Sequence, residues 1–184
     1  MRRPLEATTY VALLRGINVG GKHVLPMKQL AEMFVEARCA NVRTYIQSGN
    51  VVFTASSKAI KGLPALVAKR IEERFGFSVP VVVRNHEELA QAARSNPFLK
   101  AGLPQETLHV YFLADTPTAD AVKALDPHRS APDAFHVSGR EVYLHLPNGM
   151  GRTKLTNAYF DSKLSTIATA RNWATVLKLL EMMS

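Results

Sequence analysis

The chain has 184 residues, 47% of them hydrophobic and 21% charged, which is the composition of an ordinary folded protein. A chain of this length buries roughly two-thirds of its unfolded surface, so one large domain or two small halves can fold without disulfides or metals. No apolar stretch is long enough to cross a membrane, which argues against a membrane-spanning protein. A single cysteine, Cys39, excludes an intramolecular disulfide, and we expect a reducing, cytoplasmic location.

The net charge of +8 is concentrated in one half of the sequence. Residues 1–95 contain 14 lysines and arginines against 7 acidic residues, whereas residues 96–184 contain 9 against 8. Such an imbalance favours an anionic partner for the first half, either a small anion such as a nucleotide or a nucleic acid. A surface charge that only keeps the protein in solution is the alternative.

The first half alternates between strand and helix signals. Apolar runs without polar alternation indicate buried strands, and apolar residues at helical spacing indicate amphipathic helices. The predicted elements are a strand at Tyr10–Leu14, a helix from Pro26 to Ala37, strands at Val42–Gln47 and Val51–Thr54 joined by a turn, a helix from Leu63 to Phe75, and a strand at Val79–Arg84. This β-α-β-β-α-β order is that of a ferredoxin-like unit.

The second half repeats most of this order. A helix from Asn85 to about Ser95 and a linker over residues 96–104 precede it. Its predicted elements are a strand at Leu108–Leu113, a helix from Thr118 to Leu125, hairpin strands at Ala134–Ser138 and Glu141–Leu146, and helices at Thr156–Leu164 and Trp173–Met183. We therefore predict an α+β fold of two tandem ferredoxin-like sandwich halves, 1–95 and 96–184, the second ending in a helix where the first ends in a strand.

Histidine and tyrosine residues recur in the strands of the second half. Alternation with apolar residues predicts that His109, His136 and His145 point away from the apolar face, beside Tyr111 and Tyr143. No cysteine or carboxylate stands at ligand spacing from them, so neither a metal nor a cofactor is predicted. An open face of this kind suits stacking of single-stranded RNA bases, and a contact between halves or subunits is the alternative.

The sharpest motif is the Gly-rich stretch Gly16–His23, which directly follows a predicted strand. Its G-x-x-x-x-G-K spacing is that of a phosphate-binding loop, but His23 stands where a Mg²⁺-binding hydroxyl is needed and Pro26 delays the helix. The sequence therefore argues against a nucleoside triphosphatase and favours a loop that holds an anion without chemistry. The predicted ligands of the anion are Arg15, Asn18, Gly20, Gly21 and Lys22. The alternative is that these glycines only allow positive φ angles.

Two further polar clusters are candidates for ligand binding. At the hairpin tip, Gln47, Ser48 and Asn50 either offer hydrogen bonds from a rigid scaffold or simply form the turn. Ser48 lacks a neighbouring base and a G-x-S-x-G frame, so it is not predicted to be a nucleophile. The other cluster lies before the last predicted helix, whose N-terminus would attract anions, and comprises Arg152, Lys154, Arg171 and Asn172. A capped helix with Trp173 in the core is the alternative reading.

Four segments of the chain resemble the signature of one bacterial family of unknown function. They are YVALLRGINVGGK (Tyr10–Lys22), YIQSGNVVF (Tyr45–Phe53), GRTKL (Gly151–Leu155) and ARNWATV (Ala170–Val176). The resemblance implies two tandem ferredoxin-like halves and no established reaction. The chain departs from the family pattern at Ala170, where threonine is expected, and at Ala174, where a polar residue is expected.

Three functions are open at the level of sequence. The first is a protein that binds a small anion or nucleotide in the first-half loops. The second is a nucleic-acid-binding protein that uses the basic first half. The third is an enzyme acting on a phosphorylated or nucleotide-like substrate, for which the sequence offers no recognisable acid, base or nucleophile.

Overall fold

The computed structural model describes residues 7–184. They form an α+β protein that divides into two compact units. The first unit comprises the described chain up to Leu89 together with Leu179–Ser184, and the second comprises Ala90–Lys178. Each unit contains one four-stranded antiparallel sheet with helices, which confirms the predicted pair of α/β halves. No helix in the described part of the chain has the length and apolar character that crossing a membrane requires.

The first unit has the β-α-β-β-α-β order that the sequence predicts. Its elements are β1 (Ala7–Leu14), α1 (Met27–Glu36), β2 (Ala40–Tyr45), β3 (Asn50–Ser56), the short α2 (Ser57–Ile60), α3 (Leu63–Phe75) and β4 (Val81–Asn85), followed by α4 (His86–Arg94). The strand order in the sheet is β2-β3-β1-β4, with β1 and β3 in its centre. Gly76, with a φ of 76°, ends α3 as predicted, because a left-handed residue closes a helix most easily without a side chain.

Both faces of the central strand β1 are buried. Tyr10 and Leu14 belong to the core that includes Phe34 of α1 and Ile71 of α3. Val11 projects to the opposite face, because strand residues alternate in direction, and it is also fully buried. The absence of polar alternation in this strand therefore reflects burial on two sides, as the sequence indicates.

The second unit contains a complete copy of the same order. Its elements are α5 (Pro97–Lys100), a 3₁₀ turn (Gln105–Thr107), β5 (Leu108–Leu113), α6 (Ala119–Lys123), β6 (Ala134–Ser138), β7 (Glu141–His145), α7 (Asn157–Leu164), β8 (Ala168–Asn172) and the first part of α8 (Trp173–Met183), which continues into the first unit from Leu179. The strand order is β6-β7-β5-β8, which repeats the first unit position by position. The predicted hairpin is confirmed, with its turn at Gly139, and Thr118 and Thr156 cap α6 and α7.

Two sequence predictions for this unit are wrong. The predicted linker over 96–104 contains a short helix, because the Asn96 Oδ1 accepts hydrogen bonds from the amides of Phe98 and Leu99 at 3.0 and 3.4 Å. The second half does not lack its final strand, since β8 pairs with β5. Small side chains at Ala168 and Ala170 leave β8 without the β-branched and aromatic residues that normally reveal a strand.

The predicted open aromatic face of the second sheet is also wrong. Tyr111 and Tyr143 lie on opposite faces, 2% and 1% exposed. The Tyr111 hydroxyl donates to the Leu155 carbonyl at 3.0 Å, and the Tyr143 hydroxyl donates to the Ala92 carbonyl at 2.9 Å. Because the central strand is covered on both faces, alternation along it does not separate an inner face from a solvent face. His136 lies opposite Tyr143 in the β6–β7 hairpin.

The last strand of each sheet ends in an Arg-Asn pair, and a helix begins at the next residue. Arg84 and Arg171 are both buried. The Asn85 Oδ1 accepts from the Glu88 amide at 2.8 Å to cap α4, and the Asn172 Oδ1 caps α8 by accepting from the amide three residues on, also at 2.8 Å. Repetition of a buried arginine and a capping asparagine at equivalent positions supports an internal duplication.

The cap of α8 gives a first testable prediction. We expect Asn172→Ala to lower the free energy of unfolding by about 1 kcal/mol, because the α8 amide at its third position loses its acceptor. Asn172→Asp keeps an acceptor at that place and should unfold like the parent protein. Urea unfolding followed by circular dichroism measures both variants. An unchanged midpoint for Asn172→Ala would contradict the assigned cap.

Candidate functional site

The Gly-rich loop and the hairpin tip are fastened together by one side chain in the first unit. The Asn18 Nδ2 donates to the Leu25 carbonyl at 2.9 Å and to the Gln47 carbonyl at 2.8 Å. Its Oδ1 accepts from the Leu25 amide at 2.8 Å. Asn18 has a φ of 54°, a left-handed conformation that asparagine tolerates. Because both amide hydrogens and the oxygen are used within the protein, the Asn18 side chain holds the two loops in position.

The tip of the Gly-rich loop is a tight two-residue hairpin. Val19 and Lys22 form an antiparallel bridge, in which the Lys22 amide donates to the Val19 carbonyl at 3.1 Å. Gly20 and Gly21 have φ angles of 57° and 73°, the signature of a type I′ turn. A Cβ at either glycine would meet nothing within 4 Å, so the backbone angle and not crowding requires glycine. Among residues 7–184, no hydrogen bond engages the amide of Gly20 or Gly21.

The rest of this loop is also held in place. The His23 Nδ1 lies 3.0 Å from the Gly16 carbonyl, and its ring stacks on Phe77 with centroids 4.6 Å apart. A carbonyl oxygen only accepts, so Nδ1 carries the hydrogen in this arrangement. His23 therefore contributes to the frame of the loop.

The geometry agrees with the argument against a nucleoside triphosphatase. Helix α1 begins at Met27, with Pro26 at the N-cap, and therefore starts several residues after Lys22. Its N-terminus does not follow the Gly-Lys pair directly, as the phosphate-binding loop of these enzymes requires. The sheet is antiparallel throughout the described strands of this unit, whereas that motif belongs to a strand–loop–helix unit of a parallel sheet.

The hairpin tip is built around two buried residues. Gly49, at a φ of 79°, lies so close to β1 that an added Cβ would stand 2.7 Å from the Leu14 Cβ. Asn50 is fully buried, and its Nδ2 donates to the Tyr45 carbonyl at 3.1 Å and to the Ser48 Oγ at 2.9 Å. Asn50 therefore forms the turn, and Gln47 is the exposed polar residue of the tip.

The predicted site residues of the first unit thus lie on two joined loops. Arg15 is half-buried, with its amide donating to the Pro80 carbonyl at 3.1 Å, and Lys22 is exposed. Arg15, Asn18, Gly20, Gly21 and Lys22 belong to the Gly-rich loop, Gln47, Ser48 and Asn50 belong to the hairpin tip, and the bond from Asn18 to the Gln47 carbonyl joins the two loops.

The predicted site residues of the second unit are not joined in this way. Arg152 and Lys154 are exposed in the segment between β7 and α7, where the Lys154 amide donates to the Ser130 Oγ at 2.9 Å. In the described chain, no hydrogen bond or ion pair connects either side chain to Arg171 or Asn172. Arg171 is buried, and burial lowers its pKa to about 10, so it stays charged at neutral pH.

A cavity that the sequence did not indicate lies at the start of α8. Its volume is about 310 Å³, and it is lined by Gln105, Glu106, Asn172, Trp173 and Ala174. Trp173 is 1% exposed, which confirms its predicted place in the core, and its buried Nε1 has no partner in the described part of the chain. Ala174, one of the two departures from the family pattern, lines this cavity. Gln105 and Glu106 of the 3₁₀ turn are far in the sequence from the start of α8, so no local pattern connected them to this cavity.

Residues with nucleophilic or metal-binding chemistry do not gather at either place. Burial raises the pKa of the Cys39 thiol to about 11, so it is protonated at neutral pH and a weak nucleophile. Burial also lowers the pKa of His109. Within residues 7–184, no three His, Cys, Asp or Glu side chains form a group that could hold a metal ion.

The whole fold has a counterpart among solved structures. The chain is similar to a conserved bacterial protein from Streptococcus pneumoniae, with a TM-score of 0.73 and 22% sequence identity. The match covers 97% of this chain and 100% of that one. At this level of identity the likeness shows a shared fold alone. Among curated proteins, no match to the sequence was found.

A protein-family model matches the sequence more specifically. The model described as "Protein of unknown function (DUF1697)" matches residues 7–143. The matched segment contains the Gly-rich loop and the hairpin tip, and it ends before Arg152. Because it spans well over half of the chain, the protein belongs to this DUF1697 family, as the resemblance of its N-terminal motifs implied.

Proposed function

We propose that the protein binds a small phosphate-bearing anion on the Gly-rich loop and the hairpin tip of the first unit, without catalysing a reaction on it. One observation carries the proposal. The side chain of Asn18, two residues before the Gly20–Gly21 turn, bonds to Leu25 at the other end of the Gly-rich loop and to the backbone of the exposed tip residue Gln47, so the two loops are held to each other. Binding groups that are held in place before the ligand arrives lose little conformational entropy when it binds.

The chemistry of the loop tip suits phosphate oxygens. Within residues 7–184, the Gly20 and Gly21 amides are exposed donors without a partner, and the Lys22 ammonium follows them directly. Successive amides in a tight turn form a concave set of donors for an anion. Glycine also leaves the backbone uncovered, so that an oxygen can approach closely. The positive charge concentrated in residues 1–95 would raise the local concentration of anions.

The alternatives have less support. The sheet platform that the nucleic-acid hypothesis invoked is absent from the described residues, because Tyr111 and Tyr143 are buried. A catalytic role on a phosphorylated substrate lacks a candidate base at the loops, where His23 is held by the Gly16 carbonyl and Phe77.

Isothermal titration calorimetry with inorganic tripolyphosphate at low ionic strength tests the proposal. We expect Lys22→Ala to weaken binding about tenfold or more, since hydrogen bonds to charged groups contribute about 1.5–3 kcal/mol. The matched control is Lys58→Ala, which removes the same charge. Strand β3 begins at the hairpin tip and is seven residues long, and Lys58 follows its far end. Lys58 is therefore about 20 Å from the tip, and its substitution should leave the affinity unchanged.

Two results would contradict the proposal. The first is the absence of binding by tripolyphosphate, pyrophosphate and phosphate alike. The second is equal weakening by Lys22→Ala and Lys58→Ala, which would indicate a general charge effect. Tight binding of a single-stranded oligonucleotide that falls steeply with salt would instead favour the nucleic-acid alternative.

A further inference from the structure

Exposed apolar side chains are concentrated on the same two loops. Among the described residues, three of the four most exposed large hydrophobic side chains are Val19 at 65%, Val24 at 62% and Ile46 at 51%. Single exposed apolar residues are common on proteins and need no explanation. Three of them stand on two loops that are bonded to each other, and exposed apolar residues grouped in this way mark binding surfaces. We call Val19, Val24 and Ile46 the apolar patch.

The bonds of Asn18 hold the backbone next to these three residues. Each is the direct neighbour in sequence of a residue in the Asn18 bonding set, which comprises Asn18, Leu25 and Gln47. The backbone on which the apolar side chains stand is therefore ordered before any ligand arrives. Lys22 and the Gly20–Gly21 turn lie within the same loop segment, so a cation and apolar surface are presented together.

Ile46 has an unusual backbone conformation for its residue type. Its φ is 46°, in the left-handed region where a β-branched side chain is disfavoured. Ile46 begins the turn between β2 and β3, which accounts for the backbone angle but not for an isoleucine at this position. Its exposed side chain has no packing role in the first unit's core, and strained residues of this kind cluster at ligand sites.

We infer that the ligand of this site is a nucleotide, with its phosphates on the Gly20–Gly21 turn and Lys22 and its base against Ile46 and Val19. This inference rests on the proposed function. A nucleotide combines the two chemistries that the loops present, an anion and a flat ring with apolar faces. A base presents a flat face that an exposed apolar surface can cover, as base stacking in nucleic-acid-binding proteins illustrates, whereas an acyl chain exposes apolar surface on all sides.

The comparison of ATP with inorganic tripolyphosphate tests the inference, because both carry a triphosphate and only ATP carries a base and a ribose. We expect ATP to bind the protein about tenfold more tightly than tripolyphosphate does, because burial of an aliphatic side chain against the base contributes a free energy of about this size. Ile46→Asn removes the aliphatic surface and keeps a residue that tolerates positive φ. It should bring the affinity for ATP down to that for tripolyphosphate and leave the latter unchanged.

Val35→Asn is the matched control, because Val35 is 59% exposed on α1, outside the two loops. It should change neither affinity. Equal affinities of the parent protein for ATP and tripolyphosphate would overturn the inference and leave the proposed function standing. Binding of neither compound would overturn the proposed function itself. A self-association that Ile46→Asn abolishes, with the ratio of affinities unchanged, would assign the patch to a second copy of the chain and also overturn the inference.

Discussion

Gly49→Ala is expected to lower the free energy of unfolding by about 3–4 kcal/mol. An alanine at a φ of 79° costs about 1–2 kcal/mol of backbone strain. Its Cβ would also stand 2.7 Å from the Leu14 Cβ and 3.0 Å from the Ile17 Cδ1. Leu14 belongs to the central strand β1 and cannot withdraw, so overpacking adds about 1–3 kcal/mol.

Gly16→Ala separates these two contributions. Gly16 has a similar φ of 74°, but an added Cβ there meets nothing within 4 Å. We therefore expect it to cost only the backbone strain, about 1–2 kcal/mol. Urea unfolding of both variants measures the difference. Equal losses would show that the hairpin tip does not pack against β1 as described.

Asn18→Gly is expected to lower the free energy of unfolding by about 3 kcal/mol and to abolish binding of tripolyphosphate. Glycine accepts the φ of 54° without strain, so the substitution removes only the side chain. Three hydrogen bonds to Leu25 and Gln47 are lost, each contributing about 0.5–1.5 kcal/mol. Without them, the Gly-rich loop is no longer fastened to the hairpin tip, and the binding groups are no longer held together.

Asn41→Gly provides the control for this substitution. Asn41 has a similar φ of 50° and is exposed, with one side-chain hydrogen bond to the Thr54 Oγ1 at 3.2 Å. We expect Asn41→Gly to cost less than about 1 kcal/mol and to leave binding of tripolyphosphate unchanged. Equal effects of the two variants in urea unfolding and in calorimetry would argue against Asn18 as the residue that joins the loops.

The order of elements was largely predictable because local signals in the sequence are strong. Glycines with positive φ end α3 at Gly76 and turn the β6–β7 hairpin at Gly139. Strand β8 was missed because Ala168 and Ala170 carry little of the apolar signal that a strand usually shows. Its place in the sheet comes from pairing with β5, a contact across more than fifty residues that local patterns do not encode.

The sequence predicted which faces of a strand are buried for β1 but not for β5. For β1, the unbroken apolar run correctly indicates burial on both faces. In β5, His109 and Tyr111 between apolar residues suggested a solvent face that does not exist. A tyrosine hydroxyl in the interior needs only one acceptor, which Leu155 supplies, and alternation cannot reveal such a bond.

The parts of the candidate site were visible in the sequence, but their connection was not. The Gly-rich loop and the hairpin tip each have a recognisable turn signature. The bond from Asn18 to the Gln47 carbonyl joins residues 29 positions apart, and nothing in either local pattern specifies it. For the same reason, Asn18 and Asn50 resembled ligand-binding residues, although their side chains are bonded within the protein.

Amide chemical shifts followed by NMR during a titration with tripolyphosphate test the central claim most directly. The Gly20, Gly21 and Lys22 amides should show the largest changes, because the bound phosphates would accept hydrogen bonds at this turn. The amide of Gly102, a positive-φ glycine of the second unit, should stay in place. Unchanged Gly20 and Gly21 amides at saturating tripolyphosphate would contradict a phosphate site on these loops.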